Sequence, residues 1–425
     1  MNPAKKHPSF SALPPTPREL VAADVPVIIR YRPTATRGEG FAMARGLATR
    51  YSYGLIPAIA TTLPMDRIDI LTEDPEVEMI YPDLPVHTML DQSVPIIRAP
   101  QVWALGDTGK GITVAIVDTG VDGNHPDLVG RLVATQDFSG EGYKDNHGHG
   151  THVAGIIGGS GAASNGKYKG VAPDVTLMAA KVLKGNGSGL MSDVMAGVEW
   201  AVQQKAHVIN LSLGGPPMPC DGTDALSLVC DAAVRAGAVV CVAAGNSGPG
   251  EKTVGAPGCA REVITVGASV SGPTDYDTIT SFSSRGPTSD GRTKPDICFP
   301  GQDIISARAS ETAMGHIIDD HYTQASGTSM ATPHCAGAAA LLLAANPGLT
   351  PTQVKARLLR GARQMTIRPN TPLGGNLQGA GRADVLNAYH NEAGTPLPPA
   401  PEGPPSNGGG QIGCLPSILT FWVLK

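Results

Sequence analysis

From residue 91 to about 390 the sequence alternates apolar runs of strand length with stretches of helical spacing. Strands are expected at Thr113–Val117, Thr176–Lys181, His207–Leu211, Val239–Ala243 and Val263–Val266. Helices are expected between them at His149–Gly158, Ser192–Gln203 and Asp224–Ala236. Strands that are apolar throughout, with no polar alternation, are buried on both faces. Interleaved with helices, they predict an α/β fold: a mostly parallel sheet with helices on both faces. In such sheets the functional site lies beyond the carboxyl ends of the strands. Asp118 and Asn246 each follow a strand candidate directly, which places both on that edge.

A third group converges there by a different route. Gly327-Thr328-Ser329-Met330-Ala331-Thr332-Pro333-His334 presents a serine ahead of a small-residue run, Ala336 to Leu343. That run reads as a buried helix closed by Asn346-Pro347-Gly348. Serine at a helix start is ordinarily an N-cap. The same position offers unpaired amide N–H groups and the positive dipole end, which suit a developing oxyanion. A serine hydroxyl needs a base before it can act as a nucleophile. His147-Gly148-His149-Gly150-Thr151-His152, opening the first expected helix, supplies candidates, and Asp118 supplies a carboxylate. The chain order is Asp…His…Ser, not the Ser…Asp…His of α/β-hydrolases, and Ala331 breaks their G-x-S-x-G elbow.

Asp118-Thr119-Gly120-Val121-Asp122, His149-Gly150-Thr151-His152-Val153-Ala154-Gly155 and Gly327 to His334 resemble the three signature blocks of subtilisin-like serine proteases. Ala243-Ala244-Gly245-Asn246 resembles that family's oxyanion segment, and Gly379 to Val385 its closing segment. The resemblance spans roughly residues 91 to 390. It implies a serine endopeptidase with Ser329 as nucleophile, His149 as base, Asp118 orienting His149, and Asn246 donating to the oxyanion. His152 is then a packing residue, His147 is solvent-exposed, and Asp122 orders its turn. A metal reading of the three histidines is opposed by Thr151, which stands where an acidic ligand is needed, and by the lack of a further ligand cluster.

Gly187-Ser188-Gly189 and Ser212-Leu213-Gly214 resemble the family's two substrate-flanking segments, where glycines let the backbone pair with an extended peptide. Gln92, Asp127 and Asn165 match its high-affinity structural calcium site by position, although the loop from Ile156 to Lys169 is longer than the usual pattern. The stretch from Ile305 to Gln324 is also longer than in the simplest subtilisins and resembles a bacterial branch of leaderless alkaline proteases.

Residues 24–90 form a separate unit. Strand, helix, strand, helix and strand are expected at Val25–Arg32, Glu39–Tyr51, Tyr53–Ala60, Pro64–Thr72 and Val77–Tyr81. This resembles the family's ferredoxin-like inhibitor prodomain, an intramolecular chaperone. Residues 1–23 are Pro- and Ser-rich and expected to be disordered, and 391–425 form a Pro/Gly-rich tail. The apolar end of the tail, Ile412 to Leu424, is too short and Pro-broken to span a bilayer.

The 425 residues carry 41% hydrophobic and 16% charged residues and a net charge of −5, so there is no basic footprint for nucleic acid. The N-terminus lacks an apolar signal region, which implies an intracellular protein as written, or an extracellular one if the true start lies upstream. The seven cysteines contain no C-x-x-C, and Cys220 and Cys230 are near enough in sequence to pair. The expected partners are protein and peptide substrates and the chain's own prodomain, with a monomeric enzyme. The alternatives are a tripeptidyl-peptidase type exopeptidase on the same fold, disfavoured because no inserted domain is visible, and a catalytically dead peptide-binding protein, disfavoured because all four site positions are intact.

Overall fold

Val27, Ile29 and Tyr31 are buried and alternate with less buried neighbours, the period of a strand with one face in a core. They belong to β1 (Asp24–Tyr31), which begins a first unit, Met1–His87. A computed structural model describes residues 5–6, 24–32, 39–53, 57–82, 90–215, 220–270, 278–368 and 371–397. The expectations for residues 7–23 and for the tail beyond 397 lie outside the described residues.

After β1 come α1 (Glu39–Met43), β2 (Tyr51–Tyr53), β3 (Ala58–Pro64), α2 (Met65–Leu71) and β4 (Val77–Pro82). The sheet order is β2-β3-β1-β4, all antiparallel, so the unit has the β-α-β-β-α-β order of ferredoxin-like folds. The helix expected to reach Tyr51 ends at Met43, and Gly46 follows with φ +61°, a left-handed conformation that suits glycine at a helix end. Tyr51 lies instead in a strand.

The second unit, Thr88–Lys425, opens with two short helices that the sequence did not suggest, α3 (Leu90–Ile96) and α4 (Ala99–Trp103). The main run is β5 (Thr113–Asp118), β6 (Leu132–Asp137), α5 (His149–Gly158), β7 (Thr176–Lys181), α6 (Met191–Gln203), β8 (Val208–Leu211), α7 (Ala225–Arg235), β9 (Val239–Ala243) and β10 (Ile264–Val270). These strands form a sheet in the order β11-β10-β9-β8-β5-β7-β6, with β11 (Thr278–Ile279) antiparallel at one edge and β12 (Ile297–Pro300) beside β10. The other pairs are parallel. β6 escaped the sequence reading because it is an edge strand with no buried residue, and its second half, Thr135-Gln136-Asp137, is polar.

Two cores flank this sheet. One contains α5 and α8 (Thr328–Ala345), and the other contains α6 and α7. Every residue of α8 from Met330 to Leu343 is buried, which explains an apolar pattern with no polar face. β13 (Ile304–Ala307), β14 (His316–Ile317) and β15 (Tyr322–Ala325) make a separate antiparallel sheet from the long Ile305–Gln324 stretch. Thr350 caps α9 (Pro351–Gly361) in a reciprocal capping box with Gln353. Cys220 pairs with Cys259, at a Cα–Cα distance of 5.9 Å, and not with Cys230, which is buried and free on α7. The partner comes from the loop after β9, a spatial neighbour that spacing along the chain cannot reveal.

Candidate active site

Asp118 ends β5 at the carboxyl edge of the sheet and is fully buried. Its Oδ1 lies 2.7 Å from His149 Nδ1 and accepts the Thr119 amide N–H, also at 2.7 Å. His149 is the first residue of α5, after Gly148 with φ +102°. The two elements approach so closely that a Cβ on Gly150 would meet the Gly120 carbonyl oxygen at 2.0 Å, so only glycine fits there. Burial disfavours the His149 imidazolium. The charge and hydrogen bond of Asp118 outweigh it, with Asp145 adding to them, and hold the pKa above the ordinary histidine value.

Ser329 occupies the first turn of α8, whose N-cap is Gly327. Its amide is one of those with no carbonyl partner inside the helix. Its hydroxyl donates to the Ser212 carbonyl at 2.9 Å, on the substrate-flanking segment, and not to His149. Hydrogen bonds of this kind are often loose before substrate arrives. Asn246 follows β9. Its Oδ1 accepts the Thr328 amide N–H at 2.9 Å and the Thr328 hydroxyl at 3.0 Å, and that hydroxyl in turn accepts the Gly245 N–H. Because a backbone N–H can only donate, the amide orientation is fixed, and Nδ2 is left as the available donor.

Two hollows share Leu213, Gly214 and Gly215. The smaller, about 370 Å³, holds Asn246, Thr328 and Ser329. The larger, about 560 Å³, holds His149, Gly187, Ser188, Gly189 and Ser212, with Leu183, Leu190 and Leu226 among its apolar walls. His149, Asn246, Ser329 and all six expected substrate-segment residues therefore border these two adjoining hollows, with Asp118 buried and hydrogen-bonded to His149.

His147 departs from expectation. It is half-buried, lines the larger hollow, and stands edge-on to His149 at a ring distance of 6.2 Å. Burial and the neighbouring His149 hold its pKa below the usual value. His152 packs as expected, with Nε2 between the carbonyls of Ile304 and Thr323. Asp122 orders its turn through the Asn124 N–H and also accepts the Ser310 N–H.

Two residues that bear on the site went unread in the sequence. Asp145 is buried and accepts five hydrogen bonds: Oδ1 from the Thr119 hydroxyl and the His147 and Gly148 amides, Oδ2 from the amide and hydroxyl of Thr151. Lys181, paired in register with Asp118 and also buried, donates to the carbonyls of Thr119 and Leu183. The visible signal for Asp145 was an acidic residue four places before the base. For Lys181 it was a lysine closing a mostly apolar strand.

The calcium expectation fails a test of fit. Asp127 is buried, but Oδ1 accepts the Ala163 N–H at 2.9 Å and Oδ2 accepts the Tyr322 hydroxyl at 2.8 Å. Each carboxylate oxygen thus already accepts one hydrogen bond from the protein itself, and a cation there would have to share them with these donors. Asn165 is exposed on its loop, and only Gln92 keeps a buried oxygen without a partner. Residue type and position matched the pattern, but the loop geometry gives Asp127 other partners.

Residues 109–388 match the Subtilase family, peptidase S8. Serine protease AprX of Bacillus subtilis (strain 168) is 41% identical over 351 residues, 77% of this chain and 78% of that protein. Subtilisin E of the same strain is 39% identical over 323 residues, 74% and 77% of the two chains. Among solved structures, a cold adapted subtilisin-like serine proteinase shares 37% identity at a TM-score of 0.51, covering 63% of this chain and 88% of that one. Sphericase shares 32% at a TM-score of 0.57, covering 65% and 92%. Fold, cleft and relatives together define a serine protease, a hydrolase of peptide bonds. The chain belongs to the subtilase family.

Proposed function

We propose that the chain is a serine endopeptidase that binds extended polypeptide along the cleft and cuts it through an acyl-enzyme. Ser329 Oγ attacks the scissile carbonyl while His149 Nε2 takes its proton. Asp118 fixes the tautomer with the proton on Nδ1 and stabilises the imidazolium that forms. The tetrahedral oxygen receives the Asn246 Nδ2 and Ser329 N–H donors. The C–N bond breaks as His149 returns the proton to the leaving amine, and water then repeats the sequence to release the acid. The observation that carries this reading is the 2.7 Å hydrogen bond between His149 and a fully buried Asp118 beside the Ser329 cleft.

An extended substrate is supported by the two glycine-bearing segments that border the cleft, and an apolar preference by its leucine walls. Residues 24–90 act as chaperone and inhibitor until they are cut away by the enzyme itself, and the mature enzyme works as a monomer. Ser329→Ala should abolish casein hydrolysis. Activity at the wild-type level in that variant would overturn the assignment.

A further inference from the structure

We propose that the Tyr322–Asp127 hydrogen bond takes, in this chain, the structural place of a bound cation. Asp127 is the meeting point of three segments. Its own turn is held by His125, whose Nδ1 accepts the Asp127 N–H at 3.1 Å. The loop after α5 is held twice, by Ser160 N–H on the Asp127 carbonyl and by Ala163 N–H on Oδ1. β15 is held by the Tyr322 hydroxyl on Oδ2. His125 closes the circuit, with Nε2 at 2.8 Å from the His321 carbonyl next to Tyr322.

The phenol lies against the Asp127 carboxylate, with its hydroxyl on Oδ2. Tyr322 is 1% exposed, and its ring packs against Tyr168 with centroids 4.7 Å apart, so the far side of the loop also rests on it. A cation bridging these segments would bring its own positive charge and collect oxygen atoms. Here a neutral O–H and a backbone N–H satisfy the same carboxylate. The tyrosine stands at the start of β15, which pairs with β13.

The test uses the full chain carrying Ser329→Ala, which prevents self-digestion during heating. Tyr322→Phe keeps the ring and removes only the hydroxyl. It should lower the melting temperature by several degrees, equally in EGTA and in millimolar calcium. Asp127→Asn should also destabilise, and adding Tyr322→Phe to it should cost little more, because the two changes break one interaction. Any shift that calcium causes should be the same with Asp127 or Asn at 127. The proposal is overturned if Tyr322→Phe melts like its parent. It is equally overturned if calcium raises the melting temperature and Asp127→Asn abolishes that rise.

Discussion

Asp145 accepts the Thr119 hydroxyl at 2.9 Å, and so binds the residue after one site carboxylate to the helix start that carries the histidine. Thr119 passes the link on, because its Oγ1 accepts the Gly150 N–H at 2.9 Å. The spacing between Asp118 and His149 is therefore set by a third carboxylate that touches neither of them through a hydrogen bond. Asp145→Ala should lower kcat/KM by up to about 100-fold, the scale of an ångström-sized misplacement of catalytic groups. Asp145→Asn should also move the acid limb of the kcat/KM–pH profile to lower pH. The reason is that the Asp145 charge helps raise the His149 pKa, and His149 must be neutral to accept a proton. An unshifted limb with unchanged kcat/KM in both variants would remove Asp145 from the site.

Asn246 gives a second, separable prediction. Its Oδ1 is tied to Thr328, so truncation removes a donor whose direction is fixed before substrate binds. Asn246→Ala should reduce kcat by about 10²–10³-fold with little change in KM, a magnitude taken from a subtilisin, a member of the same family. Asn246→Asp should fare no better, because it sets a negative charge beside a developing oxyanion. A loss confined to KM would show that Asn246 binds substrate and does not stabilise the transition state.

How much of this site could be read from the chain depends on distance along it. Asp118, His149, Asn246 and Ser329 each stand at the end of a strand or the start of a helix, and those boundaries leave local signatures in apolar runs and glycines. The substrate segments did the same through Gly187, Gly189 and Gly214. Contacts made by loops have no period to betray them. Tyr322 meets Asp127 across 195 positions, and His334 meets Ser93 across 241. The same limit explains Cys259 as the partner of Cys220 and the half-buried setting of His147. In the first unit, a helix pattern running to Tyr51 overrode a glycine that stops it.

Acid should destabilise the second unit through two histidines that do no chemistry. Burial lowers the pKa of His152 to about 3 and that of His334 to about 4. His334 is engaged on both ring nitrogens, by the Met330 carbonyl and the Ser93 hydroxyl, and His152 sits between two carbonyls. The unfolded chain protonates these rings near the ordinary histidine value of 6.5 while the folded chain resists. Their contribution to stability is thus complete above that value and is lost progressively as pH falls toward about 4 and then about 3. His149 has the opposite sign, because its folded pKa is raised. In the Ser329→Ala chain, the urea midpoint should therefore fall between pH 7 and pH 5. His334→Gln, which cannot titrate, should flatten part of that fall. A midpoint that rises on acidification would contradict the balance assigned here.

Maturation supplies the last prediction. Leu90 is the first residue of α3, and residues 83–89 before it lie outside the described residues. The bond between Leu90 and Asp91 lies in the first turn of α3, so cutting it requires that turn to open. Leu90 is also the kind of apolar side chain that the leucine-walled cleft favours. Beyond the cut, Ser93 accepts or donates at 2.9 Å to His334 on the helix that carries Ser329, so the new N-terminal segment stays anchored after release. The bond between Leu90 and Asp91 should be cut by the enzyme itself. N-terminal sequencing of active protein should read Asp-Gln-Ser-Val-Pro, and the Ser329→Ala chain should remain at full length. The released 24–90 unit, added back, should inhibit until it is degraded. A mature N-terminus inside residues 109–388, or full activity with residues 24–90 still covalently attached, would defeat this order of events.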